Sequence, residues 1–304
     1  LHSHDRFLLC SLRAGLNDTL CQIEKCRQYA RTFGRTLIID AANSGLMGNF
    51  SDYFEIRPSD VTIIPSVDAD CLNILNQLAC LPHEVSGRIG TYKAQFMRDG
   101  RNNVDTLTGT SLTFDFSCDH AEPLLLHDQS SGGSASQSLI RDLWFSASVA
   151  EAIQNAMRDI KPGYVAIHIR HTDYQTDYRA FIESIANDLI GKRVLICTDN
   201  PEVRSFVIES LPQSEPFFVT EIVETGGKPL HISRYIPTGD DRHRSAINSL
   251  IDLAALGMAD SVLYTGVTRG CVSGYSRLAS FLCKNKDVLD NLLHYAKMPA
   301  DALE

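Results

Sequence analysis

The 304-residue chain has no apolar run of about 18 residues, the length that a bilayer-spanning helix needs, so no stable membrane insertion is expected. It has no CxxC pair. Its nine cysteines (Cys10, Cys21, Cys26, Cys71, Cys80, Cys118, Cys197, Cys271 and Cys283) are scattered, odd in number and free of zinc-ligand spacing. That pattern predicts mostly buried thiols in a reducing, cytoplasmic setting rather than a disulfide framework. Basic residues are not in excess: 28 Lys and Arg against 37 Asp and Glu leave a net charge of −9. This balance excludes a general nucleic-acid binder or a binder of anionic membranes, although net charge is silent about a phosphate pocket in one cleft. No GxGxxG follows a first strand, which discounts a dehydrogenase. No DxD-like triplet ends a strand, and Asp240-Asp241 near His243 is at most a fortuitous cation site, so no metal is expected. The opening Leu1-His2-Ser3-His4-Asp5 has neither the basic end nor the apolar core of a secretory signal. What is present is ordinary globular material, 44% hydrophobic and 21% charged, enough for one large or two moderate α/β domains.

Residues 7–11 read as a buried strand, followed by a turn at Arg13-Ala14-Gly15. A helix over 17–33 carries Leu16, Leu20, Ile23, Ala30 and Phe33 at helical spacing, with Asn17 or Asp18 as N-cap and Gly34 as the stop. Residues 36–39 form a second strand ending at Asp40, which makes β-α-β, the opening of a parallel sheet. Further strands are expected at 61–65 and 123–126. The Ser/Gly-rich 128–134 reads as a loop or hinge, and a long helix is expected over 138–160. A second β-α-β series follows, with strands at 164–169, 193–197, 217–220 and 261–264. Helices are expected at 178–190, 201–210, 246–259 and 275–283. The stretch 226–244 has no apolar period and reads as a long irregular loop of functional kind. The economical organisation is two parallel-sheet domains joined near residue 140.

Ligands of open α/β sheets gather at the carboxyl ends of the strands, and three segments of the second half turn polar there. In Val165-Ala166-Ile167-His168-Ile169-Arg170-His171-Thr172-Asp173, His168 and Arg170 share one strand face. An arginine at a core edge either meets an anion through its planar fork or pairs with an aspartate. In Ile196-Cys197-Thr198-Asp199-Asn200-Pro201, Asp199 is either the N-cap of the next helix or a hydrogen-bond acceptor for a ribose hydroxyl or base edge. In the third, Ser273-Gly274-Tyr275-Ser276 enters a helix, where backbone N–H groups and hydroxyls can cradle a phosphate. Upstream of it, Asp252 lies among Leu250, Ile251, Leu253 and Leu256. A carboxylate there needs donors: a guanine edge supplies two, and solvent or a nearby arginine is the alternative.

Together, and in this order, these segments resemble the three motifs of the GDP-fucose-dependent α1,6-, α1,2- and protein O-fucosyltransferase superfamily. His168-Ile169-Arg170-His171-Thr172-Asp173 resembles its HxR(R)xD segment, Ile196 to Pro201 its ATD-x-P segment, and Ser273-Gly274-Tyr275-Ser276 its S-x-(F/Y)-S segment. Gly15-Leu16-Asn17-Asp18-Thr19-Leu20 is similar to the G-F-G-D-x-L loop of the rhizobial nodulation α1,6-fucosyltransferases, and Thr32 to Leu37, closing at Asp40, resembles theirs as well.

The resemblance implies an α/β fold of GT-B type, two Rossmann-like domains facing a cleft. Residues 1–140 would form the acceptor side and 141–304 would bind the GDP-sugar donor. It implies transfer of fucose from GDP-fucose to a hydroxyl of a glycan or related acceptor, with inversion and with neither metal nor other cofactor. Arg170 would hold the leaving β-phosphate, His168 and Asp252 the guanine, Thr198 or Asp199 the ribose or base, and Ser273, Tyr275 and Ser276 the diphosphate. Gly15, Asn17 and Asp18 would belong to the donor site too. The sequence departs from the pattern twice. The second arginine of the first motif is His171, which beside a diphosphate can be cationic. The acidic residue expected a few positions later falls on Tyr178, which leaves Asp173 or Asp177 as the base. Two alternatives stay open: a nucleotide- or glycan-binding module without chemistry on the same fold, and a transferase of another GDP-sugar.

Overall fold

A computed structural model describes residues 6–100, 102–173, 175–223, 225, 228, 236, 238–266 and 272–297. The opening 1–5 and much of the expected loop at 226–244 lie outside the described residues. The chain divides into two compact units, Leu1–Asp52 with Ile56–Leu139, and Tyr53–Glu55 with Ile140–Glu304.

The first unit opens β-α-β: β1 (Phe7–Ser11), α1 (Leu16–Phe33) and β2 (Thr36–Asp40). All five residues of β1 are buried, as suits a central strand of a parallel sheet. Gly34 ends α1 at φ +63°, its N–H bonded to the Ala30 carbonyl. The helix starts earlier than expected: Gly15, not Asn17 or Asp18, is its N-cap residue. After β3 (Phe54–Ile56), which pairs within the second unit, come β4 (Ile63–Ile64), α2 (Ala69–Leu75), β5 (Cys80–Leu81), β6 (Ala94–Met97), β7 (Asn102–Asp105), β8 (Leu124–His127) and α3 (Ser136–Leu139). The main sheet has the order β4-β2-β1-β8-β5, with every pairing parallel. On one face Phe7, Leu9, Ile38, Leu124 and Leu126 pack with Leu75, Val85, Ile89 and Leu112, each such side chain contributing roughly 1.5–3 kcal/mol.

The second unit contains β9 (Leu143–Phe145), α4 (Ala147–Met157), β10 (Val165–Ile169), α5 (Tyr178–Ile185), β11 (Arg193–Thr198), α6 (Pro201–Ser210), β12 (Glu215–Phe217), α7 (Gly239–Met258), β13 (Ser261–Tyr264), α8 (Gly274–Lys284) and α9 (Lys286–Leu292). Its parallel sheet has the order β12-β11-β10-β13. The chain steps outward from β10 to β12 and then crosses to the other side of β10, which creates a topological switch point between β10 and β13.

Three expectations are corrected here. The single helix over 138–160 is broken by β9, which pairs with β3; Leu143, Trp144 and Phe145 suit a strand, and Ser146 caps a new helix by accepting from Val149 N. The expected loop gives way to helix from Gly239, because Thr238 accepts from Asp241 N at 3.0 Å and starts α7 early. Finally, the strand expected at 217–220 lies at β12, earlier in sequence. All eight described cysteines are free thiols and six are buried. Among the described residues no helix is long and apolar enough to cross a membrane.

Candidate functional site

Along β10 the side chains alternate. Ile167 and Ile169 pack against Ile182 of α5 and Val203 and Val207 of α6. His168, between them, turns the other way, toward α8. That single alternation carries the first motif to the third: His168 Nδ1 lies 2.6 Å from Ser276 Oγ, and Ser276 is 1% exposed. The Tyr275 ring lies 4.9 Å from the imidazole, and the Tyr275 hydroxyl donates to the Ser249 carbonyl at 2.6 Å, one turn before Asp252 on α7. Burial, assisted by the nearby Arg170 guanidinium, pushes His168 down to about 3, so the imidazole is neutral at pH 7. Among the described residues its Nε2 makes no hydrogen bond.

Asp252 accepts from Thr220 Oγ1 at 2.9 Å. Burial nevertheless raises its carboxyl to about 6, against the opposing pull of that hydroxyl and of Arg204. Asp252, Thr198, Thr220, Asn248 and Ser249 line one pocket. At the start of α8, Ser273 is 8% exposed, and its Oγ is buried without a hydrogen-bond partner. A buried hydroxyl left unpaired costs stability, and this one sits at the start of an eleven-residue helix, whose first N–H groups have no acceptor within the helix.

Arg170 directs its fork at Asp173, with Nε to Oδ1 at 3.0 Å and Nη2 to Oδ1 and Oδ2 at 2.8 Å each. Of the two readings of this arginine, the structure therefore contains the carboxylate pair. Asp199 is not the cap of α6. Asn200 is, accepting from Glu202 N and Val203 N, with Pro201 in the first turn. Asp199 instead accepts from His171 N at 2.8 Å and Thr172 Oγ1 at 2.7 Å, tying the first motif's loop to the second motif. Burial raises its carboxyl pKa despite those two bonds. His171 turns toward Thr176, Nδ1 lying 3.0 Å from Thr176 Oγ1, and its ring edge meets Tyr178. Asp177 caps α5 by accepting from Ala180 N at 3.2 Å.

The structure thus brings His168, Ser276, Tyr275, Asp252 and Thr198 into one neighbourhood of the second unit, with Arg170, Asp173, His171 and Asp199 in the loop that leaves β10. Gly15, Asn17 and Asp18 stand in the first unit. There the Asn17 side chain, 4% exposed, accepts from Ser136 Oγ at 2.7 Å and donates to the Gly133 carbonyl at 3.4 Å. A Cβ on Gly132 would come within 2.5 Å of Asp18 Oδ1, so that glycine allows the 132–136 segment to lie on the start of α1. Sequence reading missed Thr220, Arg204 and Asn200. The Asn-Pro pair was a visible cap signature, whereas Thr220 and Arg204 gave no signal before the chain folded.

No protein-family model matches the chain, and no curated protein matches it by sequence. Solved structures do match. An α-1,6-fucosyltransferase, NodZ, co-crystallised with GDP, is 20% identical over 91% of this chain and 92% of its own, with a TM-score of 0.60. The fucosyltransferase NodZ from Bradyrhizobium is 19% identical over 91% and 93%, at 0.61. POFUT1 in complex with GDP is 11% identical over 93% and 96%, at 0.54. The chain shares with them a mixed α/β fold with parallel sheets.

Proposed function

We propose that the chain is an inverting, metal-independent fucosyltransferase that moves fucose from GDP-fucose to a hydroxyl of a glycan or related acceptor. The observation that carries this reading is the 2.6 Å contact of His168 with Ser276, which joins the first and third motifs beside Asp252. The fold supports it, because neighbours of the same fold hold GDP. In this reading His168 Nε2 and Asp252 meet the guanine edge, and Thr198 and Asp199 lie along the ribose. Ser273 Oγ, left unpaired, and the start of α8 receive the diphosphate, with Tyr275 and Ser276 holding His168 in place. The assignment of Gly15, Asn17 and Asp18 to the donor is part of the same proposal; within the first unit the Asn17 side chain is engaged by Ser136. The GT-B reading, with the first unit on the acceptor side and a cytoplasmic setting, is part of the same proposal.

The chemistry follows from charge. As the bond from fucose to the β-phosphate breaks, negative charge gathers on the leaving GDP. Arg170 and the α8 start are the groups available to stabilise it. The acceptor hydroxyl loses its proton to Asp173 of the first motif or to Asp177 just after it. A binding module without chemistry is the second reading, favoured by the fork of Arg170 already closed on Asp173 and by His171 in place of a second arginine. Incubation with GDP-fucose and a panel of glycan acceptors, read by mass spectrometry, separates the two. Fucosylated product with stoichiometric GDP supports the transferase. Tight GDP binding without any release of GDP from the donor supports the module.

A further inference from the structure

The first two motifs and the loop that follows the first contain four aspartate or histidine side chains besides His168, and three of them are anchored. Asp177 is held by Ala180 N, Asp199 by His171 N and Thr172 Oγ1, and His171 by Thr176. Asp173 differs. Among the described residues its hydrogen bonds come from the Arg170 fork and, at 3.3 Å, from Thr172 Oγ1, and none comes from the backbone. It is not built into the loop; it is held by the guanidinium.

We infer that Asp173 is a place-holder for the donor's diphosphate. Its carboxylate occupies the Arg170 fork until a diphosphate takes it, and the carboxylate so released is the base for the acceptor hydroxyl. This rests on the transferase reading given above. A guanidinium presents the same two-point geometry to carboxylate and phosphate, and a diphosphate carries the larger charge. The pair is partly open to solvent, with the two side chains 21% and 32% exposed, so exchanging partners leaves neither charge stranded in a dry interior. In the reaction the acceptor oxygen bonds to the anomeric carbon. The bond from that carbon to the β-phosphate oxygen breaks, and its electron pair leaves with GDP beside Arg170. The acceptor's proton passes to Asp173. Because the same carboxylate fills the fork until the diphosphate displaces it, the base is freed for the acceptor's proton when donor is in place.

The test is Asp173→Asn, which keeps the shape and removes the charge. Calorimetry with GDP, turnover with GDP-fucose and thermal melting are measured on the same protein. The expected result is GDP binding about threefold to tenfold tighter, as follows when a competitor occupying the fork most of the time is weakened. Turnover is expected to fall by about 10²-fold or more, the scale of losing a general base, with melting unchanged. Such a split, with affinity up and turnover down, is not what a merely structural residue gives. GDP affinity that is unchanged or weaker in a folded variant overturns the inference alone, as does tighter binding with full turnover. Wild-type protein that binds no GDP overturns the transferase reading first and the inference with it.

Discussion

Each unit places a buried histidine at or near the carboxyl end of a central parallel strand, and the two are wired differently. His127, ending β8 in the first unit, has both nitrogens engaged, Nδ1 with Thr113 Oγ1 and Nε2 with Gln22 Oε1, each at 2.7 Å. His168 in β10 has Nδ1 on Ser276 and Nε2 without a partner among the described residues. Burial lowers both to about 3, so electrostatics does not tell them apart. Their neighbours repeat the contrast. In the first unit Arg13 closes on Asp128, which is 0% exposed and also accepts from Tyr92 and Asn103. In the second, Ser273 Oγ is left open and the Arg170 fork closes on a carboxylate with no backbone anchor. A network whose groups satisfy one another stabilises a fold, whereas buried groups left unpaired call for a partner, which in the proposed function the donor supplies.

The largest expected effect sharpens the open side of that contrast. Arg170→Ala should cut turnover by about 10²–10³-fold, the range for losing one preorganised charge stabiliser, with little change in melting. Arg170→Lys should recover little of it, since a point charge lacks the fork. Near-normal turnover in a folded Arg170→Ala protein would remove the arginine from the mechanism.

The matching change on the closed side acts on stability. Arg13→Ala strands the buried Asp128 carboxylate, and chemical denaturation should show a loss of about 3 kcal/mol, with turnover per folded molecule retained. A loss under about 0.5 kcal/mol, the level of ordinary surface substitutions, would contradict the closed network.

Acid should then expose Asp252. A guanine edge needs its ionised form, and with a carboxyl at about 6 the GDP affinity should fall about tenfold between pH 7 and pH 5. Asp252→Asn should bind weakly at both values. The stability contribution has the opposite sign. The unfolded chain releases this proton near 4 and the folded chain near 6, so this group destabilises the fold as pH rises through that window. The two histidines do the reverse: they remain neutral when folded, and their contribution is lost as pH falls from about 6.5 toward 3. A GDP affinity flat from pH 7 to pH 5 would separate Asp252 from the base pocket. The smallest effect expected is that of EDTA, which should leave turnover as it was; loss restored by Mg²⁺ or Mn²⁺ would move the diphosphate's charge balance from Arg170 to a metal.

Much of this was legible in the sequence because it is local. Period-two burial in 165–169 and helical spacing in 16–33 announce their elements, and parallel order follows from β-α alternation. The break at Leu143 to Phe145 was not legible, since those apolar residues fit a helical stripe equally well until β3 supplies a partner strand. Nor was the start of α7, where one capping hydroxyl decides. At the site, the positions of His168, Asp252 and Ser276 could be picked out, but their wiring could not. That Asp199 is tied to His171 and Thr172, and that Asn17 is turned to Ser136, depend on contacts between residues far apart in the chain.

The claim that His168 is open for a ligand while His127 is closed for stability can be measured directly. GDP, UDP and ADP are titrated calorimetrically into wild-type protein, His168→Ala and His127→Ala, each with its melting curve. The account predicts GDP bound well above UDP and ADP by wild type. His127→Ala should melt earlier yet bind GDP as tightly when folded, and His168→Ala should lose GDP affinity by about tenfold or more, as when one well-placed hydrogen bond is removed. Undiminished GDP binding by a folded His168→Ala protein, or no preference for GDP in wild type, would contradict it.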